Sequence, residues 1–443
     1  MPAFARGLHF DDLPGDVVRQ ARRCLLDLAG VAAAGTTTPV SGLVRDYVAD
    51  QMGGGKRSAR MLFDGRRAGL AGAALSGATT IDSVDGHDGH PLTKGHAGVA
   101  VLPALLAFVD GDPHARERCD GRELLTSIVL GYEIATRAGI ALHASAPSFH
   151  SSGAWNAIAA AAIGARLLGL PEAATRHALG IAEYWGPRGE ILRVCDYPTM
   201  LKDGSSAGAQ AGVAAALLAT QGYTGAPALT IEGAPVATTW GDLGERWRIR
   251  EQYFKPWPVC RWAQPAMQAA LALARTYEIG ADDVAEVVIE SFAEAVALGS
   301  RCPVPTATDE AQYSITWPVA AALVYGDVGV EALCHVTDAR VARLLSAIRL
   351  VEAPDLSQRF PAERYARVTL TLRDGRVLAS PATAAHGSAE DPMSDAEIDA
   401  KYAAYAAPIL GAPRASRIAA TIAGLPDDAA ADALVDELLA PIP

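Results

Sequence analysis

The sequence is poor in cysteine, and the cysteines present form no recognisable framework. The six residues contain no C-x-x-C pair, which is typical of a protein kept in a reducing compartment. We therefore expect no structural disulfides and a cytoplasmic location. The cysteines are scattered along the chain at Cys24, Cys119, Cys195, Cys260, Cys302 and Cys334.

Positive charge is also scarce. The chain has 38 Lys and Arg residues against 50 Asp and Glu residues, which gives a net charge of -12. Because a phosphate backbone is bound by a basic surface, this balance argues against a nucleic-acid partner. A few Lys and Arg side chains in a cleft can still attract an anionic small molecule, since nearby charges dominate the field there.

Long uninterrupted apolar runs are missing as well. The first thirty residues, MPAFARGLHFDDLPGDVVRQARRCLLDLAG, have their best apolar stretch broken by Asp27, so we expect no signal peptide. The alanine-rich run AWNAIAAAAIGARLLGL is shorter than a bilayer span and contains Asn156 and Arg166. Alanine-rich runs of this kind predict buried helices, and we expect no membrane partner.

What the chain has in abundance is Ala, Leu and Gly at helical spacing. This texture continues to about residue 265 and predicts an all-helical domain. Helices are expected at Pro14–Ala34, Asp120–Leu142, Ala154–Leu168, Pro171–Ala182 and Ala207–Gln221.

After about Met267 the pattern changes to alternating β-branched and polar residues. Strands are predicted at Val284–Ser291 and Ala366–Ser380, where Asp374-Gly375 is a hairpin signal, with a further strand near Ile348–Glu352. The last segments are helical again. We predict a mainly α protein with a large all-helical domain of residues 1–266 and 395–443 and a smaller α+β domain of residues 267–394.

The segment from Asp82 to Gly98, DSVDGHDGHPLTKGHAG, concentrates three of the ten histidines. Histidine exchanges protons near neutral pH, so this density favours a loop for acid–base chemistry and substrate binding. Two alternatives stay open, namely a solvated or capped loop and a metal site. The H-x-x-H-x5-H spacing matches no standard metal frame. The metal alternative would use Asp85, His87, Asp88, His90 and His96.

A second candidate segment is TMLKDGSSAGAQAGV, which contains Lys202. Its Gly204–Gly208 stretch fits G-x-S-x-G formally, but no buried strand precedes the serine as a nucleophile elbow requires. We interpret the segment as a turn that opens a helix, with N–H groups available to an anion.

Two further positions carry candidate chemistry. YFKPWPVCRWAQPAM places Lys255 and Arg261 among prolines and tryptophans, whose stiff turns would hold a cation in place and partly desolvate it. The alternative is a domain linker. His150 directly precedes an alanine-rich helix and is either a site residue or a cap or core group.

Taken in this order, the segments resemble the MmgE/PrpD family, which includes 2-methylcitrate dehydratase, cis-aconitate decarboxylase and iminodisuccinate epimerase. The resemblance covers nearly the whole chain and rests on six segments. One is His150 to Leu170, and the others are DGHDGHPLTKGHAGVAVLP, KDGSSAGAQAGVAAALLATQGYTG, FKPWPVC, AQYSITWPVAAALVYGDVG and AEDPMSDAEIDAKY.

The resemblance implies a helical domain completed by the C-terminal helices, an α+β lid domain, a cleft between the two, and a homodimer. It implies chemistry on small polycarboxylates that needs neither cofactor nor metal. This agrees with the residues themselves. Removing a proton α to a carboxylate needs a base near neutral pKa, and cations or N–H donors for the enediolate charge.

Matching the motifs position by position gives the catalytic set of site residues, whereas the substrate-binding set comes from the candidate segments and from positions where the chain differs from the family. In the catalytic set, one histidine moves the proton, the lysines hold carboxylates and the aspartate orients a histidine or lysine. That set is Asp85, His90, His96, His150, Lys202 and Lys255. The expected substrate-binding set is His87, Lys94, Tyr184, Trp185, Arg188, Ser205 and Arg261.

The chain also departs from the family pattern at several positions. Asp203 follows Lys202 where a histidine is usual, Gln264 replaces a histidine and Trp317 replaces a tyrosine. We therefore expect a cofactor-independent lyase or isomerase with a non-standard carboxylate substrate. Dehydration, decarboxylation and epimerisation all remain open. The alternatives are a metal-dependent hydrolase and a carboxylate-binding protein that has lost its activity.

Overall fold

The structure is a computed structural model that describes residues 1–443, apart from the side chains of Cys195, Asp428 and Ala429. It is mainly helical with a small mixed sheet, which confirms the predicted fold class. The helices before the sheet are Pro2–Gly7, Gly15–Gly35, Pro39–Gln51, Leu70–Asp82, Gly98–Gly111, Pro113–Arg118, Gly121–Ser145, Gly153–Leu167, Glu172–Trp185, Leu192–Asp196, Ser205–Thr220, Leu229–Glu232 and Ala237–Trp240.

The most extensively packed helix pair in this part is Gly153–Leu167 against Ser205–Thr220. Small residues allow the approach, because a Cβ at Gly208 would collide with the carbonyl oxygen of Gly153. The alanine-rich sequence of both helices, which predicted buried helices, is therefore explained by backbone-to-backbone packing.

The chain returns to the helical part at its end. Asp395–Leu410 packs on Gly15–Gly35, followed by Ala412–Gly424 and Asp428–Leu439. Ser394 begins the first of these helices by accepting a hydrogen bond from the backbone N–H of Glu397. This return brings a C-terminal helix behind the histidine-rich loop.

The helical part also contains one short antiparallel ladder. Ala59–Arg60 pairs with Arg67–Ala68, so the expectation of a purely helical domain needs this correction. Strands of two residues are too short to show an alternating sequence pattern.

The α+β part is built on a mixed sheet. Val284–Ser291 pairs in parallel with Ile348–Glu352 and antiparallel with Tyr365–Leu372. The predicted hairpin is confirmed, since Tyr365–Leu372 pairs with Val377–Ala379 and Gly375 adopts φ +90° in the turn. The last strand, Thr383–Ala384, also pairs with Tyr365–Leu372.

Helices cover this sheet. Gln264–Thr276 packs on Tyr365–Leu372 and on Thr316–Tyr325, and the predicted domain boundary between residues 266 and 267 falls inside that first helix. The other helices here are Ala293–Arg301, Thr308–Tyr313, Ala339–Leu345 and Pro354–Ser357. Single 3-10 turns lie at Phe10–Asp12, Ala234–Val236, Arg248–Glu251, Ala281–Asp283 and Val330–Cys334.

Among the described helices, one is long and apolar enough to cross a membrane, Gly121–Ser145. Its most apolar window is 94% buried inside the protein. The apolar length of this helix is therefore accounted for by packing in the core.

Candidate active site

A cavity of about 190 Å³ lies between the helical part and the α+β part. Both parts and the segment that connects them contribute to its walls. It is lined by Asp85, Lys94, His96, Phe149, Ile191, Leu192, Asp203, Tyr253, Lys255, Cys260, Arg261, Trp262, Glu294, Tyr313, Phe360 and Arg364. Of the residues predicted for the site, those that line the cavity are Asp85, Lys94, His96, Lys255 and Arg261.

His96 has the geometry of a general base. Its Nδ1 lies 2.5 Å from the carbonyl oxygen of Asp88. Because a carbonyl can only accept, Nδ1 carries the proton and Nε2 keeps its lone pair. Burial, together with the neighbouring His87 and Lys255, holds the pKa of His96 well below its ordinary value. The ring is therefore neutral at pH 7.

Two hydrogen bonds also fix the backbone of His96. Its N–H donates to Oγ of Ser152 at 2.9 Å, and its carbonyl accepts from Nδ2 of Asn156 at 2.9 Å. Ser152 in turn donates its own N–H and hydroxyl to Asp203. Burial and the nearby Asp82 raise the pKa of Asp203 well above the ordinary carboxyl value.

Lys255 and Asp85 form a buried ion pair at the cavity wall. Nζ of Lys255 lies 2.6 Å from Oδ1 of Asp85 and 2.9 Å from its carbonyl oxygen. Burial alone would lower the pKa of Lys255, but the Asp85 carboxylate outweighs it, and the net pKa is raised. Lys255 therefore keeps its charge, and the pair holds a cation beside His96.

Backbone strain is concentrated around this site. Among non-glycine residues, a left-handed backbone occurs at Asp85 (φ +48°), Lys94 (φ +49°) and Lys202 (φ +51°), as well as at two positions elsewhere. This conformation is unfavourable for a side chain with a Cβ and persists only where the surroundings enforce it. Three predicted site residues therefore share an unusual backbone that directs their side chains.

Two further cations meet in the cavity, one from each part of the protein. Nζ of Lys94 lies 3.5 Å from the ring centre of Phe149. Nη2 of Arg364 donates to the carbonyl oxygen of Pro91 at 3.0 Å, and its buried Nε has no partner among the described groups. Burial and the charge of Arg364 lower the pKa of Lys94 to about 8. Two close cations without a carboxylate partner within 4.0 Å among the described residues suit an anion.

Sequence reasoning did not identify Arg364. It precedes the strand Tyr365–Leu372 in the stretch ERYARVTLTL, where an arginine before a half-exposed strand carries no functional signal. Tyr253 and Tyr313 were missed for the same reason, since only the fold brings them to the cavity.

The other histidines of the loop face away from the cavity or support it. His87 is fully buried behind His96, with ring centres 4.3 Å apart, and its Nε2 lies 3.2 Å from Oδ1 of Asp82. Nε2 of His90 lies 3.0 Å from Oε2 of Glu251, on the side away from the cavity. Burial lowers the pKa of His90.

His150, Lys202 and Ser205 lie near the cavity without lining it. Nζ of Lys202 lies 3.3 Å from Oδ1 of Asp309 and donates to Gln312, which ties the helical part to the α+β part. His150 keeps a buried Nδ1 that has no partner among the described groups. Oγ of Ser205 accepts a hydrogen bond in the helix packing.

Tyr184, Trp185 and Arg188 lie outside the cavity. Tyr184 is 84% exposed, and Trp185 packs on Tyr223 at 6.0 Å between ring centres. The helix ends at Trp185, and the chain then turns so that residues 191–192 reach the cavity wall instead.

Two of the departures from the family pattern, Gln264 and Trp317, have structural roles. Arg261 donates to the carbonyl of His386 at 2.7 Å and to Oε1 of Gln264 at 3.1 Å. Nε2 of Gln264 donates to two carbonyls of the preceding turn. Trp317 is buried in the core and donates to the carbonyl of Val336 at 3.0 Å. Gln264 and Trp317 therefore stabilise the fold around the site.

One cluster has the composition of a metal site. Single ligand atoms of Asp85, His87 and His96 lie within 4.8 Å of one another. However, the ammonium of Lys255 lies 2.6 Å from Oδ1 of Asp85 and would repel a second cation. His90, a ligand in the predicted metal alternative, is bound to Glu251 and does not join the cluster.

Comparison with known proteins identifies the family. The MmgE/PrpD N-terminal domain matches residues 1–238, and the MmgE/PrpD C-terminal domain matches residues 257–427. The cis-aconitate decarboxylase-like protein oryM of Aspergillus oryzae is 26% identical over 97% of this chain and 93% of its own length. Cis-aconitate decarboxylase of Homo sapiens is 25% identical over 91% of this chain and 86% of its own length. The chain therefore belongs to the MmgE/PrpD family.

Proposed function

We propose that the protein is a cofactor-independent lyase or isomerase that removes a proton from the carbon α to a carboxylate of a small substrate. The observation that carries the proposal is His96, a neutral base of fixed tautomer on a cavity that also holds Lys94, Lys255 and Arg364. The relatives that span nearly the whole chain, named for cis-aconitate decarboxylation, support a lyase.

In the proposed step, Nε2 of His96 takes the α-proton. The electron pair of the broken C–H bond moves into the carboxylate and gives an enediolate, which the cavity cations stabilise. Departure of a β-leaving group then completes a dehydration, and return of the proton to the other face completes an epimerisation. A decarboxylation reaches the same kind of carbanion by loss of CO2 and ends when that carbon is protonated.

Two polar groups are placed to act with His96 in this step. Lys255 is charged and has one N–H left after its two bonds to Asp85. Burial raises the pKa of Tyr253, so this residue keeps its hydroxyl proton and serves as a donor on the cavity wall.

The test is solvent exchange at the α-carbon. Di- and tricarboxylates are incubated with the enzyme in deuterated buffer, and loss of the α-proton signal is followed by NMR. Exchange with at least one compound is expected, and His96→Gln should slow it about 10²- to 10⁴-fold, as for the loss of a general base. The matched control is His335→Gln, an exposed histidine outside the cavity, which should exchange at the wild-type rate. No exchange with any compound would favour a carboxylate-binding protein without activity.

A metal-dependent hydrolase is the second candidate, because Asp85, His87 and His96 can bring three ligand atoms together. The hydrolase and the proposed enzyme predict different effects of metal removal. Under the lyase proposal, dialysis against EDTA leaves the exchange rate unchanged. Loss of activity on dialysis and its recovery on addition of Zn²⁺ would support the hydrolase instead.

A further inference from the structure

We infer that the substrate is a carboxylate with an apolar arm, such as an alkyl or aryl group, and not a compact tricarboxylate. The inference rests on the proposed function, because it concerns the same cavity. It is carried by two observations, the nature of one cavity wall and the number of cations left free to bind anions.

One wall of the cavity is apolar. It consists of Phe149, Ile191, Leu192, Trp262 and Phe360, and we call it the apolar wall. These side chains are only partly buried, although large apolar groups are usually fully covered. A carboxylate placed here would lose its hydration without gaining a partner, whereas an apolar group would release water from both surfaces.

The aromatic half of the apolar wall is held rigidly from behind. The ring of Phe292, fully buried, stacks on Phe360 with centres 4.8 Å apart and planes at 13°. Trp262 meets Phe292 edge-on at 5.6 Å and Phe360 at 5.8 Å. A wall of mutually packed rings cannot fold away to expose polar groups, so it is a fixed feature of the binding surface.

The charges of the cavity leave room for few carboxylates. Lys255 is already paired with Asp85. The Nη atoms of Arg261 donate to carbonyl and side-chain oxygens behind the wall. Arg261, Lys94 and Arg364 all lack a carboxylate partner within 4.0 Å among the described residues, but the Nη atoms of Arg261 are engaged, so Lys94 and Arg364 are the cations left for an anion. A ligand carboxylate fits between these two, and one more can reach Lys255.

A third carboxylate would meet unfavourable surroundings. The remaining lining groups include the carboxylate of Glu294, which repels an anion, and the apolar wall. The anion site and the apolar wall are adjacent, because Nζ of Lys94 lies over the ring of Phe149. A substrate that joins one or two carboxylates to an apolar arm therefore matches the cavity better than a tricarboxylate does.

Equilibrium binding tests the inferred substrate class without depending on turnover. Dissociation constants of succinate, benzylsuccinate and tricarballylate are measured by calorimetry at pH 7. Benzylsuccinate should bind about tenfold more tightly than succinate, since its ring is buried on the wall. Tricarballylate should bind more weakly than benzylsuccinate. Equal or tighter binding of succinate or tricarballylate would overturn the inference.

A variant in the apolar wall tests whether this wall causes the preference for benzylsuccinate. Leu192 is half exposed, so Leu192→Arg can be made without disturbing the core, and it should reduce the preference for benzylsuccinate about fivefold. Leu229→Arg, at an exposed leucine outside the cavity, is the control and should leave the preference unchanged. An unchanged preference in Leu192→Arg would overturn the assignment to this wall.

The same compounds distinguish this inference from the proposed function. In deuterated buffer, proton loss to His96 exchanges the α-hydrogen of a bound ligand, and the C–D bond forms when the carbanion is deuterated. Tight benzylsuccinate binding with no exchange of any compound would overturn the proposed function and support the substrate class. Exchange that favours tricarballylate over benzylsuccinate would support the proton transfer and overturn the substrate class.

Discussion

His87 and His96 lie in contact, yet their surroundings give them different roles. The carbonyl oxygen of Asp88 lies near Nδ1 of both rings. Nε2 of His87 is also engaged, by the buried Asp82, whereas Nε2 of His96 has no hydrogen-bond partner among the described groups. A ring whose free nitrogen faces a cavity can take a proton, and a ring held at both nitrogens can only position its neighbour. The functional difference therefore follows from whether Nε2 has a hydrogen-bond partner of its own.

Lys94 should make ligand binding depend on pH. Its pKa is lowered to about 8, first by burial and then by Arg364, so the side chain is charged below that pH and neutral above it. A bound carboxylate gains from the charge, and this gain is lost as the pH rises through about 8. We expect the Kd of succinate to rise about tenfold between pH 7 and pH 9.

The variant Lys94→Met checks the assignment by calorimetry over the same pH range. It should bind succinate weakly and with little dependence on pH, because no charge is left to titrate there. A variant that keeps the full wild-type pH dependence would assign the titration to another group.

Sequence reasoning found the residues whose local density was unusual and missed those that only the fold assembles. His96 and Lys94 belong to one short loop rich in histidine and aspartate, and such a density is visible along the chain. Arg364 contacts Pro91, which lies 273 positions away, and no local pattern encodes that contact. Tyr184 and Trp185 were expected in the substrate-binding set, but the course of the chain after the helix decides which side chains reach a cavity.

The loop that carries His96 depends on an element from the far end of the chain. Nζ of Lys401, on the helix Asp395–Leu410, donates to the carbonyl of Gly86 at 2.6 Å and to Oδ1 of Asp27 at 2.6 Å. Burial lowers the pKa of Lys401, against the effect of Asp27, and both members of the ion pair are buried. From the cavity side, Lys255 binds the carbonyl of Asp85. Two buried lysines therefore hold adjacent carbonyls of the loop.

Removing one of them should cost both stability and activity. Lys401→Met leaves Asp27 buried without its partner, and we expect a loss of about 3 to 5 kcal/mol in the free energy of unfolding. The measurement is urea denaturation followed by circular dichroism. The double variant Lys401→Met with Asp27→Asn removes the uncompensated charge, so it should recover part of the stability. Equal stability of the single and double variants would contradict a role for the buried charge.

The elements themselves were largely predictable, because each has a clear period. The strands Val284–Ser291 and Ile348–Glu352 have the predicted bounds, and alternating burial along the first explains why. Helix ends differ from the prediction by one to a few residues, as at Gly121–Ser145, because the last turns depend on contacts outside the helix. The ladder Ala59–Arg60 with Arg67–Ala68 was missed because two residues define no period.

At the scale of the whole molecule, the cavity is a junction between two parts of the chain. Lys94 and His96 come from the helical part, and Arg364 and Glu294 come from the α+β part. Hydrogen bonds cross the same boundary, from Arg364 to the carbonyl of Pro91 and from Lys202 to Gln312. An anion between Lys94 and Arg364 would add a further link across the boundary, so ligand binding and the stability of the assembled molecule should be coupled.

This coupling can be measured as ligand-dependent stability. A ligand at a concentration of 100 times its Kd stabilises the native state by about 2.7 kcal/mol, and we expect succinate to raise the unfolding temperature of the wild type accordingly. In Arg364→Met the rise should be much smaller at the same succinate concentration, because one side of the anion site has lost its charge. Each protein is compared with its own ligand-free form, which removes any effect of the substitution on folding. Arg376→Met, at an exposed arginine of the hairpin turn, is the control and should keep the wild-type rise. If Arg364→Met keeps it too, the anion does not bridge the two parts.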